Sequence, residues 1–127
     1  METTNKKILI VEDEADLRDA LEISLGHEGF IIITASDGEI GVAKALSEKP
    51  DLIILDIVMP KLDGIGVLKK LRADEWGKSV KIIVMTASDG MSKVAEVLEA
   101  GGDEYVVKTN VSLSDVVKKV KNKLGIH

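Results

Sequence analysis

Short runs of Ile, Leu and Val alternate with longer segments of helical spacing from one end of the chain to the other, and this alternation constrains the fold more than any single residue does. The runs Lys7–Val11, Phe30–Ala35, Leu52–Leu55, Lys81–Met85 and Tyr105–Val107 read as strands. The first, third and fourth are almost continuously aliphatic, as strands covered on both faces of a parallel sheet must be, whereas the second and fifth read as edges. Between them lie single apolar stripes: Leu17, Leu21 and Leu25 with Ala20; Ile40, Ala43 and Leu46; Ile65, Leu68 and Leu71; Met91, Val94 and Leu98; Leu113, Val116, Val117, Val120 and Leu124. Asp37 is placed to cap the second helix, Gly101 and Gly102 to end the fourth, and Ser112 with Asp115 to form a capping box on the fifth. The β-α unit repeated in this way predicts an α/β fold: a doubly wound five-stranded parallel sheet, order 2-1-3-4-5, with five helices, as in flavodoxin-like proteins.

A chain of 127 residues fits one domain, and nothing resembling a linker or a low-complexity tract interrupts it. The expectation is a single domain over residues 1–127 with no output domain after the fifth helix. The absence of cysteine excludes disulfides, thiolate metal sites and a cysteine nucleophile, and suits a cytoplasmic protein. No apolar run approaches the roughly 20 residues that span a bilayer, so no membrane association is expected. A net charge of −5 argues against direct nucleic-acid binding, which needs clustered Lys and Arg.

In doubly wound sheets the functional crevice lies beyond the carboxyl ends of the strands, where the strand order reverses. The first strand runs into Glu12 and Asp13 and the third into Asp56, so the expected order makes three carboxylates neighbours. Singly, acids at strand ends face water or cap helices. Together they repel one another and raise one another's pKa unless a cation intervenes, and a hard divalent ion such as Mg²⁺ matches an all-oxygen site. The fourth strand runs into Thr86 and the fifth into Lys108, which bring a hydroxyl and an ammonium to the same edge. A carboxylate nucleophile, a divalent cation, a hydroxyl and an ammonium are what a transferring phosphoryl group requires.

These residues resemble the response-regulator receiver domain of two-component signalling over nearly the whole chain. The resemblance is carried by Glu12-Asp13, by Asp56 followed by Ile57-Val58-Met59-Pro60 and Asp63-Gly64, by Thr86-Ala87, and by Lys108 three residues after Tyr105. It implies a phosphoacceptor signalling protein rather than an enzyme, with Asp56 as phosphoacceptor. It further implies Mg²⁺ held by Asp13, Asp56 and the Val58 carbonyl, with Glu12 acting through water. Thr86 and Lys108 would contact phosphoryl oxygens, and Thr86 and Tyr105 would act as the switch pair. Val58 and Ser88 would flank the path of the water that ends the phosphorylated state. The implied partners are a histidine kinase or histidine phosphotransfer protein and a downstream protein docking on the fourth helix, fifth strand and fifth helix. The domain would be a monomer or a phosphorylation-dependent dimer.

One departure stands out: receivers carry proline after the lysine, joined by a cis peptide, and this chain has Thr109. A cis bond before a non-proline residue costs about 2.5–4 kcal/mol. Three other readings share parts of this pattern. A flavodoxin-like carrier needs a phosphate-binding loop where Glu12-Asp13-Glu14 would repel it. An aspartyl-nucleophile phosphatase needs a substrate-enclosing cap for which this chain has no room. A degenerate receiver, binding partners without phosphorylation, would not need the full acidic and Thr-Lys set. Trp76 reads as a packing residue at the far end of the sheet, and His27 and His127 take no role. Lys118, Lys119, Lys121 and Lys123 make the last helix basic, a solvated face or a contact for an acidic partner.

Overall fold

The computed structural model describes residues 5–59, 61–87, 91–108 and 111–126, apart from the side chains of Met91, Ser92 and Lys93. The elements run β1 (Lys7–Val11), α1 (Ala15–Gly26), β2 (Ile31–Ala35), α2 (Gly38–Glu48), β3 (Leu52–Asp56), α3 (Gly64–Ala73), β4 (Lys81–Thr86), α4 (Met91–Glu99), β5 (Glu104–Val107) and α5 (Leu113–Lys123). The strands form one sheet in the order β2-β1-β3-β4-β5, with every pairing parallel. The strand bounds differ from expectation by one residue in four places. Phe30 precedes β2 and is buried beneath it, while Asp56, Thr86 and Glu104 join the ladder because pairing is set by backbone register and not by side-chain polarity.

Period-two alternation along the strands sorts the core into two layers. Leu9, Val11, Ile53, Leu55, Ile82 and Val84 face a layer completed by Ala45 of α2, Val67, Leu68 and Leu71 of α3, and Val97 of α4. Ile8, Ile10, Leu52, Ile54, Ile83 and Met85 face the opposite way, onto Leu21 and Leu25 of α1 and Val116 and Val120 of α5. Each such side chain contributes on the order of 1.5–3 kcal/mol by leaving water, so the sheet is fixed in register from both sides. Trp76 packs against the first layer, and Lys49 lies over its ring, 5.5 Å from the centroid.

The helix ends follow the sequence signals. Asp37 accepts from the Ile40 amide at 2.9 Å, and Ser112 and Asp115 make the reciprocal capping box. Gly101 closes α4 at φ +100°, where its amide bonds Leu98 and that of Gly102 bonds Val97. Gly38 is required by close approach: a Cβ there would lie 1.9 Å from the Leu62 carbonyl oxygen, so the start of α2 presses on the loop that follows Asp56. No described helix is long and apolar enough to cross a membrane.

Arg72, at the end of α3, was not singled out by the sequence. Its guanidinium donates to the carbonyls of Gly77 (2.6 Å), Val80 (2.7 Å) and Gly101 (2.7 and 2.9 Å) and meets Asp103 at 3.3 Å. Asp103 in turn accepts from the Ile82 amide at 2.7 Å, so a single planar fork joins α3, the entry to β4 and the entry to β5. Replacing Arg72 by Ala should leave these carbonyls without a donor and lower stability by about 2–4 kcal/mol, read as a shift of the urea midpoint at unchanged slope. Arg72→Lys should recover less than half of the loss, because one ammonium cannot reproduce the fork.

Candidate functional site

The parallel sheet delivers the ends of β1, β3, β4 and β5 to one rim. Glu12 continues the line of β1, its amide bonded to Ala35 O at 3.0 Å, and its side chain turns inward to 1% exposure. Glu12 Oε2 accepts from the Glu14 amide at 3.0 Å. Its Oε1 is buried without a well-formed hydrogen bond among the described residues and lies 3.1 Å from Lys108 Nζ. Arg18 holds the backbone beneath, donating to Glu12 O at 2.9 Å and Asp13 O at 3.5 Å.

Asp56 closes β3 at 3% exposure. Its Oδ1 accepts a long bond from the Val58 amide (3.4 Å), and its Oδ2 sits 3.2 Å from Lys108 Nζ. A Cβ on Gly64 would lie 2.5 Å from Asp56 O, so α3 also starts hard against this strand end. Lys108, just past β5, therefore reaches two buried carboxylates, and Glu14 joins from the surface at 3.5 Å. Carboxylate oxygens of Glu12, Asp13 and Asp56 all lie within 4.8 Å of one another, the first and last buried and Asp13 exposed. Thr86, 5% exposed, follows Met85, the register partner of Asp56.

The structure thus brings together Glu12, Asp13, Asp56 and Lys108, sets Thr86 on the neighbouring strand end, and leaves the Val58 side chain exposed at the lip. Tyr105 stands apart. It is 39% exposed on β5 and lines a groove of about 480 Å³ with Val107, Val111, Lys118 and Lys119. Ser88, Pro60, Thr109 and His127 lie outside the described residues, so Pro60 in the loop after Asp56, the water path at Ser88 and the peptide after Lys108 are not described. Most of the basic face of α5 is already neutralised: Lys119 (2.7 Å) and Lys123 (3.8 Å) pair with Glu104, and Lys121 pairs with Glu28 of α1. Sequence reading also missed Arg18 at the site, because a contact to a backbone carbonyl leaves no spacing pattern.

The electrostatics correct one expectation. Asp56 is pushed up to about 7, chiefly by burial and only then by the charge of Glu12, with Lys108 pulling the other way. Burial would lower Lys108, but its contacts with Glu12 and Asp56 outweigh that and hold it above the usual ammonium value. For stability the sign is fixed. The folded Asp56 holds a proton that the unfolded chain releases near 3.8, so its contribution is present below that value and is lost as pH rises through about 7. In metal-free buffer, Asp56→Asn should therefore gain on the parent as pH climbs from about 4 to 7, by on the order of a few kcal/mol. Urea titrations at stepped pH check this. A stability gap that stays flat or narrows would contradict it.

This arrangement has close counterparts. A family model described as the response regulator receiver domain matches residues 8–121. The alkaline phosphatase synthesis transcriptional regulatory protein PhoP of Bacillus subtilis (strain 168) is 46% identical over 104 residues, which cover 82% of this chain and 42% of that protein. The chain spans less than half the length of the curated relatives it matches. Among solved structures, the chemotaxis response regulator CheY4 of Vibrio cholerae superposes with a TM-score of 0.87 at 28% identity, covering 94% of this chain and 98% of the other. The receiver domain of the sensor histidine kinase PA1611 from Pseudomonas aeruginosa PAO1, with a magnesium ion coordinated in its active-site cleft, gives 0.87 at 28% identity, covering 96% and 99%. With its strand order, its rim of Glu12, Asp13, Asp56, Thr86 and Lys108, and a family match over nearly its full length, the chain belongs to the response regulator receiver domains of two-component signalling.

Proposed function

We propose that this domain takes a phosphoryl group onto Asp56 from a phosphohistidine donor, a histidine kinase or a histidine phosphotransfer protein, and signals through its own surface. The observation that carries this reading is the Lys108 ammonium 3.2 Å from a buried Asp56 carboxylate, on a rim that also holds Glu12 and Asp13. In the transfer, an Asp56 oxygen forms the new bond to phosphorus as the donor's P–N bond breaks, and the imidazole leaves with that electron pair. Asp56 must be ionised to attack, and Lys108 favours that form while Glu12 and burial oppose it. Lys108 then balances charge on the phosphoryl oxygens, and the Thr86 hydroxyl, from the neighbouring strand, would donate to another.

The oxygen donors suit a hard divalent cation. Asp13, Asp56 and the Val58 carbonyl would hold Mg²⁺, with Glu12 acting through water, and the buried Glu12 Oε1 without a well-formed hydrogen bond fits such a role. When bound, the ion supplies positive charge that makes the crevice hospitable to an anionic donor. Self-phosphorylation from a small donor and hydrolysis of the adduct are the only chemistry asked of the domain, so it acts as a signalling protein and not as an enzyme with an external product. The reading places it in the cytoplasm, as a monomer or a phosphorylation-dependent dimer, with a protein target on α4, β5 and α5 around Tyr105. A net charge of −5 supports contact with protein instead of nucleic acid by this domain.

Incubation with Mg²⁺ and a small phosphodonor should yield an acid- and base-labile adduct on Asp56, seen by intact mass, and Asp56→Asn should abolish it. Undiminished labelling of that variant would remove the proposal. Thr86→Ala should still accept the group but pass the change on weakly, because the hydroxyl joins the phosphoryl oxygens to β4. Amide shifts in α4 and α5 on adding beryllofluoride should then shrink at least twofold relative to the parent. Equal shifts would show that Thr86 is not the relay.

A further inference from the structure

The three carboxylates of the rim are held in different ways. Glu12 is buried with its Oε2 on the Glu14 amide, and Asp56 is buried at the end of a paired strand. Asp13 is exposed, yet one of its oxygens lies within 4.8 Å of an oxygen of each of the other two. An exposed side chain keeps such a direction only if its backbone is fixed, and here the backbone runs between two regular elements. The Glu12 amide makes the last bond to β2, at Ala35 O, and α1 begins with the Arg18 amide bonded to Glu14 O at 2.9 Å. The carbonyls of Glu12 and Asp13 fall in the gap, and one nitrogen serves both: Arg18 Nη1 donates to Glu12 O at 2.9 Å and, through a longer bond, to Asp13 O at 3.5 Å. These carbonyls belong to the two peptide groups on either side of the Asp13 Cα. Because each peptide group is planar, holding both leaves φ and ψ of Asp13 little freedom, and the direction of its Cβ follows. Both hydrogen bonds that the half-buried Arg18 side chain makes among the described residues go to these carbonyls, so it is placed as a backbone clamp.

We propose that Arg18 is a positioning residue of the rim: it aims the Asp13 carboxylate into the crevice, and through Asp13 it sets the affinity for a divalent cation. The inference rests on the reading of the crevice as a Mg²⁺ site. Its rival is a field effect, and the two have opposite signs. A guanidinium near a cation site repels the cation, so on charge alone its removal tightens Mg²⁺ binding. As a clamp its removal loosens binding, because an exposed carboxylate released from one direction must be ordered again when the ion arrives. Lysine separates the two further. It keeps the charge on a shorter arm with a single nitrogen, so it gives up the longer bond to Asp13 first.

The test is a Mg²⁺ titration followed by amide shifts, preceded in metal-free buffer by the three-bond HN–Hα coupling of Asp13, which reports its φ. Arg18→Met keeps the stem and the helix propensity but has no donor and no charge. It should weaken Mg²⁺ binding by about fivefold, the cost of ordering one loose side chain on binding, and should move the Asp13 coupling toward the averaged value of an unconstrained residue. Arg18→Lys should fall between the parent and Arg18→Met in both readouts. Binding by Arg18→Met that is unchanged or tighter would overturn the proposal, and so would weaker binding with the Asp13 coupling unmoved. If Arg18→Met does not fold, Arg18→Lys decides: the parent's affinity together with the parent's coupling would overturn the clamp, and a loss in both supports it. A parent that takes up no Mg²⁺ would overturn the cation reading instead, and the metal-free Asp13 coupling would still decide whether Arg18 holds that backbone.

Discussion

The Lys108 ammonium is the interaction on which the site depends. Glu12 and Asp56 are both almost fully buried, and two carboxylates in such surroundings cannot both ionise without a cation within contact distance. Lys108 reaches both, at 3.1 and 3.2 Å, from the end of a strand three positions from β1 and two from β3 in the sheet. One point charge does not offset both the burial of Asp56 and the charge of Glu12, and Asp56 is held up at about 7.

That imbalance can be sustained only because the scaffold around it is over-determined. Five parallel strands held from both faces by aliphatic layers fix where each strand stops, and the stop positions fix the rim. Two glycines then close the sides. Gly38 brings α2 against Leu62, Gly64 brings α3 against Asp56, and a methyl group at either position would have to displace backbone. The Asp56 carboxylate is thereby framed by two helix starts.

Much of this was legible before any coordinates, and for physical reasons. Aliphatic runs report burial on both faces, so β1, β3 and β4 announced themselves as central, while the order 2-1-3-4-5 came from the doubly wound pattern and not from the residues. Acids, a hydroxyl and a lysine immediately after such runs must lie at one rim, which is why Glu12, Asp13, Asp56, Thr86 and Lys108 could be named together. What escaped was of a different kind. Arg72, Arg18 and Lys44 all act on backbone carbonyls, and a carbonyl is present at every residue, so nothing in the sequence marks which one will be left needing a donor. The lysines of α5 were read as a free basic face because their partners, Glu28 and Glu104, come from elements far away in the chain. The raised Asp56 was expected from like charges, yet burial leads, and burial is a property of the assembled sheet.

The two ends of β5 are held by different means, and this bears on how a change at Asp56 would travel. At its start, Asp103 is bonded to the Ile82 amide and to Arg72, and Glu104 is tied to Lys119 and Lys123 of α5. At its end, Lys108 is tied, among the described residues, to the rim carboxylates. On the proposed reading, converting Asp56 to an acyl phosphate moves the charge that Lys108 follows, so the end of the strand held by the rim responds while the clamped end does not. Between them sits Tyr105, exposed beside Lys118 and Lys119 in the groove against α5. A strand pinned at one end and pulled at the other accommodates the change by rotating the side chains between, and Tyr105 is the largest of these and the least confined. Two discrete positions of that ring differing by about 1–3 kcal/mol would suffice to alter a partner's affinity roughly 5- to 150-fold. The ion pairs of α5 are therefore best understood as the fixed side of the groove against which such a ring works.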